Sequence, residues 1–189
     1  MPGSRVERGE TVSLRTVEPE DAPFLQRAYA EPGLREPLGR PIRSRSRVAA
    51  EIESLAEDDD RVHLLVCLED DDPTPGPVDP GLVTPIGVVL ARRVRVRPNL
   101  AVWLAPAHQG SGYAREALTL AIETIFRTHD VPSIGAGVYE WNEASRALLE
   151  AVGFTLEGRQ RRVKFHDGAY HDNLKYGLLR TEWERLQDG

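Results

Sequence analysis

Cysteine, lysine and long apolar runs are scarce in this sequence. Cys67 is the only cysteine among 189 residues, which excludes an internal disulfide. It lies within an apolar run, so we expect a core residue rather than a nucleophile, because a reactive thiol needs an activating partner. No apolar stretch approaches the roughly 20 residues of a membrane-spanning helix, and residues 1–10 contain no signal-peptide core. These absences predict a cytoplasmic protein with no membrane partner.

The charged residues are unevenly distributed between residue types. Of the 24 basic residues only Lys164 and Lys175 are lysine, and the net charge is −6. A negative net charge argues against nucleic-acid binding, which needs a basic surface. The arginines and the acidic clusters at 57–60 and 69–72 fit either a high-salt cytoplasm or GC-rich coding, and we favour the second because −6 is modest. The length suits one domain with an adequate core.

The stretch 103–116, WLAPAHQGSGYARE, organises the rest of the chain. It predicts the end of a strand, a loop containing Gly110 and Gly112, and the start of an amphipathic helix. Backbone N–H groups at such a helix start have no partners and lie at the positive end of the helix dipole, which suits a pyrophosphate. The phosphate loop of nucleotide hydrolases is not matched, because no lysine follows Gly112. The dinucleotide fingerprint is not matched either, because Arg115 replaces its third glycine.

Hydrophobic periodicity and breaker residues predict the remaining elements. We expect strands at 11–17, 62–68, 84–94, 100–104, 133–139, 154–156, 163–165 and 170–180. We expect helices at 22–30, at 48–56 with Ser46 as N-cap, after Gly112, and between Asn142 and Gly153. The acidic, proline-rich segment 69–80 predicts a long mobile hairpin loop, and Gly87 a bulge or a close backbone approach. The order predicts one α/β domain over residues 11–185 with a mixed sheet, preceded by a flexible segment at 1–10.

Several motifs together resemble one family. The segment 109–114, QGSGYA, resembles motif A of the GNAT acetyltransferase superfamily, R/Q-x-x-G-x-G/A, with Gln109, Gly112 and Ala114 on the consensus positions. The string 103–118 is similar to the RimJ/RimL-like branch, which acetylates protein N-terminal amines and similar substrates. The segment 142–154 is similar to that family's N-x-x-S…L-L-E-x-x-G-F pattern, and the clear matches cover roughly 83–183.

The resemblance implies a single-domain GNAT-like fold. We expect a mixed, mostly antiparallel sheet flanked by helices, with the cofactor cleft between two splayed strands at 100–104 and 133–139. Acetyl-CoA is the implied co-substrate and no metal is needed; the five histidines also lack ligand-type spacing. Backbone groups near Val102, Trp103 and Leu104 would pair with the pantetheine and polarise the carbonyl. The remaining implied cofactor-binding residues are Gln109, Gly110, Ser111, Gly112, Tyr113, Ala114 and Asn142.

The acid and the base are less defined. Many family members carry a tyrosine as thiolate acid where this chain has Leu149, and the resemblance suggests Ser145 instead. Ser145 can equally be a first-turn hydroxyl that bonds the helix backbone. Glu140, at a strand end, is a candidate base or an ordinary solvated carboxylate, and a water chain could replace it. Asn142 caps a helix and can also orient the cofactor.

Other polar residues near the predicted cleft carry weaker hypotheses. His108 fits a place near phosphate or solvent better than a base. Asp172 matches the branch pattern and can be structural. The early helices shape the acceptor pocket in the family, with candidates Tyr29, Leu34, Leu38 and Arg43. The basic segment 40–47 is either a solvated helix start or a contact to an acidic substrate or to the nucleotide of the cofactor.

The resemblance implies acetyl transfer from acetyl-CoA to a primary amine, either a peptide N-terminus or a small molecule. The amine would attack directly, without an acyl-enzyme. An anionic acceptor and a basic peptide both remain open. The alternatives are a non-catalytic acyl-CoA-binding sensor or interaction protein, and an unrelated nucleotide-binding enzyme. Strands near the C-terminus often pair across dimers in this family, so a homodimer is one option.

Overall fold

The computed structural model describes residues 3–69 and 83–188, and most of the predicted loop at 69–80 lies outside that range. Within it the strands are β1 (Arg5–Arg8), β2 (Val12–Thr16), β3 (Arg61–Glu69), β4 (Val83–Arg92), β5 (Asn99–Leu104), β6 (Ser133–Tyr139), β7 (Thr155–His166) and β8 (Ala169–Leu179). The helices are α1 (Ala22–Ala30), α2 (Pro32–Arg35), α3 (Arg45–Ala56), α4 (Tyr113–Thr128), α5 (Glu143–Val152) and α6 (Arg180–Gln187).

The strands form one sheet in the order β1-β2-β3-β4-β5-β6-β8-β7. Every neighbouring pair is antiparallel except β5 and β6, which are parallel. The predicted mixed, mostly antiparallel sheet is therefore confirmed. The last strand along the chain, β8, lies between β6 and β7, so β7 joins the sheet only through β8.

Helices cover the two faces of the sheet unequally. On one face the apolar side of α4, with residues such as Leu118 and Ile122, packs over β2 to β6 together with α5. On the other face, residues of α1 and α3 pack against β3, β4 and Trp103 of β5. In the described part of the chain, this second cluster contains no residue of β6 or β8. The second face of β6 and β8 therefore remains available to line a cavity.

The two central parallel strands separate after a short contact. β5 and β6 are in register only at Asn99–Gly135 and Leu100–Ala136. Beyond these pairs, residues 101–104 and 137–139 diverge, which leaves the backbone groups on the facing edges without a partner strand. This is the predicted splay, and it opens the sheet at its centre.

Gly87 lets β4 approach β5 beside this opening. It lies opposite Leu104, and a Cβ at Gly87 would meet the carbonyl oxygen of Trp103. The register between β3 and β4 also shifts at Val66–Cys67, next to Gly87. Both the predicted bulge and the predicted close approach are confirmed. Cys67 is buried in the core, as expected.

Besides the short helix α2, which was not predicted, three boundaries differ from the sequence prediction. Arg5–Arg8 is strand β1, paired with β2, so the sheet includes part of the segment predicted as flexible at 1–10. Ser44 rather than Ser46 caps α3, and its Oγ accepts a hydrogen bond of 3.4 Å from the Arg47 N–H. β7 is one continuous strand rather than two pieces. Its side chains are largely exposed on both faces, so its sequence lacks the alternation that marks a half-buried strand.

Helix α6 was not predicted, and its first residue ties it to α4. Arg180 donates hydrogen bonds to the carbonyl oxygens of Val131 at 3.1 Å, Phe126 at 2.7 Å and His129 at 2.7 Å. The carbonyls at the end of a helix have no intrahelical partners, and a cation is favourable there. Arg180 therefore completes the C-terminal end of α4.

Candidate functional site

The loop between β5 and α4 presents a row of free backbone donors. Gly110 and Gly112 have φ values of 81° and 85°, a left-handed conformation that other residues rarely adopt. The first bond of α4 runs from the Arg115 N–H to the Gly112 carbonyl at 3.0 Å. Within the described ranges, no hydrogen bond is formed by the N–H groups of residues 110–114. They lie at the positive end of a 16-residue helix, so the loop can bind an anion.

Gln109 holds this loop against the end of β5. Its Nε2 donates a 2.9 Å hydrogen bond to the carbonyl oxygen of Leu104. The motif glutamine therefore has a structural function here, which is to fix the path of the chain into the two glycines. Its own backbone adopts an extended conformation before the left-handed Gly110.

Two adjoining cavities follow the opening between β5 and β6. The loop cavity, about 350 Å³, extends from the glycine loop to the start of α5 and is lined by Leu34, Gln109, Gly110, Gly112, Tyr113 and Ala114, among others. The strand cavity, about 410 Å³, continues along β5, β6 and β8. Val102, Trp103, Asn142, Ser145 and Leu148 line both cavities. The structure thus brings together nearly all the predicted cofactor-binding residues; Ser111 is exposed and lies outside both linings.

The start of α5 forms the wall between the two cavities. Asn142 is its N-cap, and the Asn142 Oδ1 accepts a 3.1 Å hydrogen bond from the Ser145 N–H. Asn142 Nδ2 donates to the Pro37 carbonyl oxygen at 3.5 Å, which ties the early loop to α5. In the described structure the Ser145 Oγ makes no hydrogen bond. Its hydroxyl is therefore not used to satisfy the helix backbone.

Glu140 lies outside both cavities. Its carboxylate accepts hydrogen bonds from the Asp172 N–H at 3.0 Å and from Arg159 Nη1 at 3.4 Å, and His171 Nδ1 lies 3.4 Å away. Arg159 also donates to Asp172 at 2.9 Å. The Arg162 N–H and then the Arg159 guanidinium hold the pKa of Asp172 below its ordinary value. These residues form an ionic network beside the β7–β8 hairpin, where its register is irregular between Gln160 and Lys164. His108, like Glu140, lines neither cavity.

The early helices contribute to the cleft mainly through Leu34 and Leu38, which line it. Tyr29 is buried behind them, with its ring centroid 5.2 Å from that of Trp103. Arg40 lies over the Tyr29 ring at 4.3 Å. Arg43 bonds to Glu51 and lines neither cavity, so of the four predicted pocket residues the two leucines contact it directly.

The strand cavity also contains polar residues that sequence reasoning did not single out, namely Arg92, Asn99, Asn173 and Lys175. Asn173 and Lys175 alternate along β8 with the buried Leu174 and Tyr176. This alternation could have shown that they share the opposite face. The pattern does not reveal that this face lines a cavity, because that depends on where α1 and α3 stop.

His63 on β3 gives this region a pH-dependent stability. Burial, and next the charges of Arg40 and Arg92, lower its pKa from 6.5 to about 4, although Glu51 opposes the shift. A histidine with a lowered folded-state pKa binds its proton more readily in the unfolded chain. We therefore expect the free energy of unfolding to fall between about pH 6.5 and pH 4, by at most about 1.4 kcal/mol per pH unit from this group. Urea unfolding of wild type and His63→Gln across this range measures the effect. Identical slopes for the two proteins would contradict it.

Comparison with known proteins places the chain in a family. Residues 11–155 match the acetyltransferase (GNAT) domain. The chain therefore belongs to the GNAT acetyltransferase family, and the resemblance seen in its motifs is confirmed. The fold agrees with that of solved acetyltransferase structures. RimL, a ribosomal-protein alpha-N-acetyltransferase solved with coenzyme A, has a TM-score of 0.78 at 18% identity, covering 93% of this chain and 97% of that chain.

Individual relatives share about a third of their residues or fewer with this chain over the matched part. The chain is similar to the ribosomal protein uS5-alanine N-acetyltransferase of Escherichia coli, 35% identical over 75 residues, which cover 40% of this chain and 39% of that protein. It is also similar to the uncharacterized N-acetyltransferase YokL of Bacillus subtilis, 32% identical over 77 residues, 41% and 44% of the two chains. The spermidine N-acetyltransferase of Vibrio cholerae, solved with CoA and spermine, has a TM-score of 0.79 at 21% identity over 93% and 99%. The matched sequence spans less than half the length of the uS5-alanine N-acetyltransferase and of YokL.

No helix in the described part of the chain is long and apolar enough to cross a membrane. No group of three or more histidine, cysteine, aspartate or glutamate side chains there is arranged to hold a metal ion.

Proposed function

We propose that the protein transfers an acetyl group from acetyl-CoA directly to a primary amine within a ternary complex. The observation that carries this proposal is the continuity of the cleft, which joins the free N–H groups of residues 110–114 to the opening between β5 and β6. One end of this cleft suits a pyrophosphate, and the other gives an amine access to a thioester. Membership of the GNAT family supports the same reaction.

The chain's own residues would hold the cofactor along this path. The loop amides from Gly110 to Ala114 bind the pyrophosphate, and the edge of β5 at residues 102–104 pairs with the pantetheine amides. A free N–H of β5 donates to the thioester oxygen, where negative charge develops in the transition state. The amine nitrogen attacks the carbonyl carbon, the new C–N bond forms, and the C–S bond breaks to release CoA thiolate.

Two protons must move in this reaction. Ser145 lies where the cavities meet with its hydroxyl free, so we assign it the proton donated to the thiolate, and its Oγ regains a proton from the positively charged nitrogen of the adduct or from water. Glu140, whose carboxylate is engaged with Arg159 and Asp172, is a weaker choice for the base, because it lines neither cavity. Before the attack, the ammonium form of the acceptor loses a proton to water through the open strand cavity, because only the neutral amine has the lone pair that forms the C–N bond. General-base catalysis can act through a solvent molecule in this way.

The acceptor is proposed at the level of a primary amine. The relatives are named for different acceptors, an N-terminal alanine of ribosomal protein uS5 in one case and spermidine in another. Both carry a primary amine, which supports the shared chemistry and leaves the substrate of this chain to be found.

A second function rests on one residue. Leu149 occupies the position of the tyrosine acid in many family members, and it is buried against the strand cavity. A protein that binds acetyl-CoA without turning it over would fit this substitution. Titration with acetyl-CoA and CoA, followed by a thiol-release assay with a panel of amines, distinguishes the two functions. Binding with turnover supports the enzyme, binding without any turnover supports the sensor, and absence of binding rejects both.

Replacing Ser145 tests its role as the acid. We expect Ser145→Ala to lower kcat by about 100-fold or more, because a positioned proton donor contributes about 10²- to 10⁴-fold. The affinity for acetyl-CoA should change by less than about threefold, since the N–H of residue 145 still bonds Asn142. Ser145→Thr keeps a hydroxyl and should recover much of the rate. An unchanged kcat in Ser145→Ala would assign Ser145 a structural role only. Steady-state kinetics with calorimetric titration gives both quantities.

A further inference from the structure

The strand cavity is lined by cations without a matching anion. Arg40, Arg92 and Lys175 are among its walls, and none of its lining residues within 3–69 and 83–188 is an aspartate or glutamate. A cavity of one charge sign attracts ligands of the opposite sign and repels those of its own. This contrasts with what a site for a polycationic amine would require.

These cations are not neutralised by the described structure. Neither Arg92 nor Lys175 forms an ion pair with a described residue, and the buried Arg40 Nη1 has no hydrogen-bond partner there. Glu51, whose charge is felt at Tyr29, is bonded to Arg43 instead. The positive charge of the cavity is therefore available to a ligand.

The phosphates of the cofactor do not account for this charge. Arg92 pairs in register with Asn99 at the start of β5, whereas the glycine loop follows Leu104 at the end of that strand. Five strand residues span about 17 Å, so Arg92 lies that far along the cleft from the strand end that leads to the proposed pyrophosphate site. The cations thus belong to the end of the cleft where the acceptor would enter.

At the acceptor end of the strand cavity, the wall formed by β6 and β8 has room for a small ligand. Gly137 of β6 has no side chain, and a Cβ there would lie 3.4 Å from Asn173 Oδ1. Asn173 Oδ1 is buried without a partner among the described residues, so a hydrogen-bond acceptor for an amine faces this space. The same cavity is therefore lined by a set of cationic side chains and by an oxygen that can accept a hydrogen bond from an amine.

The cavity continues into a groove of about 540 Å³, which Arg92, Asn99 and Lys175 also line. The carboxylates of that groove already have partners. Asp58 pairs with Arg61 at 2.7 Å, Glu157 pairs with Arg97 at 2.6 Å, and Asp60 Oδ1 accepts from the Arg95 N–H at 3.1 Å. Access from this side leaves the loop cavity free for the cofactor.

We propose that the acceptor is a small primary amine that also carries an anionic group, a carboxylate or a phosphate, bound by Arg92, Lys175 and Arg40. This inference rests on the proposed acetyl transfer and names the class of its second substrate. The guanidinium groups would bind the anion by charge-assisted hydrogen bonds while Asn173 accepts from the amine. A polyamine, in contrast, would place a second ammonium among three cations.

The test compares matched amines on the acetyl-CoA-saturated protein. Initial rates of thiol release are measured with glutamate and glutamine, with O-phosphoserine and serine, and with spermidine. We expect kcat/KM to be at least about tenfold higher for a charged member than for its neutral partner, which corresponds to one favourable charged contact. Spermidine should be the poorest acceptor, and the better of the two charged amines identifies the anionic group.

Substitutions of the cationic side chains test whether they cause the preference for charged amines. Arg92→Gln with Lys175→Gln should reduce the charged-to-neutral ratio to within about threefold, while the affinity for acetyl-CoA stays unchanged. Arg95→Gln is the matched control, because Arg95 is exposed, pairs with Asp59 and lines neither the strand cavity nor the groove. Thermal unfolding of each variant checks that the fold is intact.

Calorimetric titration of the same amines, on the free protein and on its CoA complex, gives a readout that does not need turnover. Preferential binding of the charged amines supports the inference. Equal binding of charged and neutral partners, a preference for spermidine, or no binding of either charged amine overturns it. Failure of acetyl-CoA itself to bind overturns the proposed acetyl transfer instead, so the two failures are distinguishable.

Discussion

Gly112→Trp is expected to abolish detectable binding of acetyl-CoA, with a Kd at least about 100-fold above that of the wild type. The N–H groups of residues 110–114 are unbonded and open, and a Cβ at Gly112 would meet no atom within 4 Å. An indole at this position would therefore occupy the space in front of the donors. Since these donors and the helix dipole are the proposed pyrophosphate site, the ligand would lose its main polar contacts.

The chain offers a close control for the backbone strain of this change. Gly168, in the turn between β7 and β8, also has a left-handed φ, 76° against 85°, and a Cβ there would also meet nothing within 4 Å. Gly168→Trp should lose comparable stability, because a residue with a side chain pays for this conformation in either place. It should nevertheless bind acetyl-CoA as the wild type does. Binding by Gly112→Trp within about threefold of the wild-type Kd would show that the cofactor does not contact this loop.

Trp103→Ala is expected to have the largest effect on stability. The indole is only 7% exposed and packs between the rings of Phe24, at 6.1 Å, and Tyr29, at 5.2 Å. Removing a buried aromatic side chain of this size costs about 3–5 kcal/mol, because the lost burial is followed by an incompletely filled cavity. That is a large share of the total for a typical domain, about 5–15 kcal/mol.

Urea unfolding measures this loss, and Trp103→Phe provides the matched comparison. The smaller ring keeps the contacts to α1 and should lose less than half as much. Trp103 also lines both cavities. Trp103→Ala should therefore weaken acetyl-CoA binding even without urea and at low temperature, where the variant is folded. A decrease of less than about 1 kcal/mol in the free energy of unfolding would mean that the indole is not held by Phe24 and Tyr29 of α1.

The glycine loop and the two helices beside it were predictable because their signals are local. Gly110 and Gly112, the amphipathic α4, and the Asn142 to Gly153 span of α5 each depend on residues close in sequence. The order of elements and these motifs were enough to predict the family fold. Helix α6 was missed because three of its contacts come from Arg180 to carbonyls some 50 residues earlier, which no local pattern encodes.

Only part of the candidate site was predicted, because only that part is defined by residues close in sequence. Its loop side is a contiguous motif, whereas the strand cavity assembles Arg40, Arg92 and Lys175 from three distant parts of the chain. Glu140 stood out in sequence because it ends a strand, but its contacts to Arg159 and Asp172 depend on the hairpin that folds beside it. Position along a strand is predictable, and the partner that a side chain meets across the fold is not.

The place of β8 between β6 and β7 has a consequence for the nascent chain on the ribosome. β6 and β7 are translated before β8, and neither can pair with β8 until residues 169–179 have emerged from the exit tunnel. During that interval β6, which shares only two register pairs with β5, keeps an open edge that another strand could occupy. We expect the cleft to form only after residues 169–179 have emerged, so that a chain stalled before residue 169 would be prone to mispairing and unable to bind acetyl-CoA.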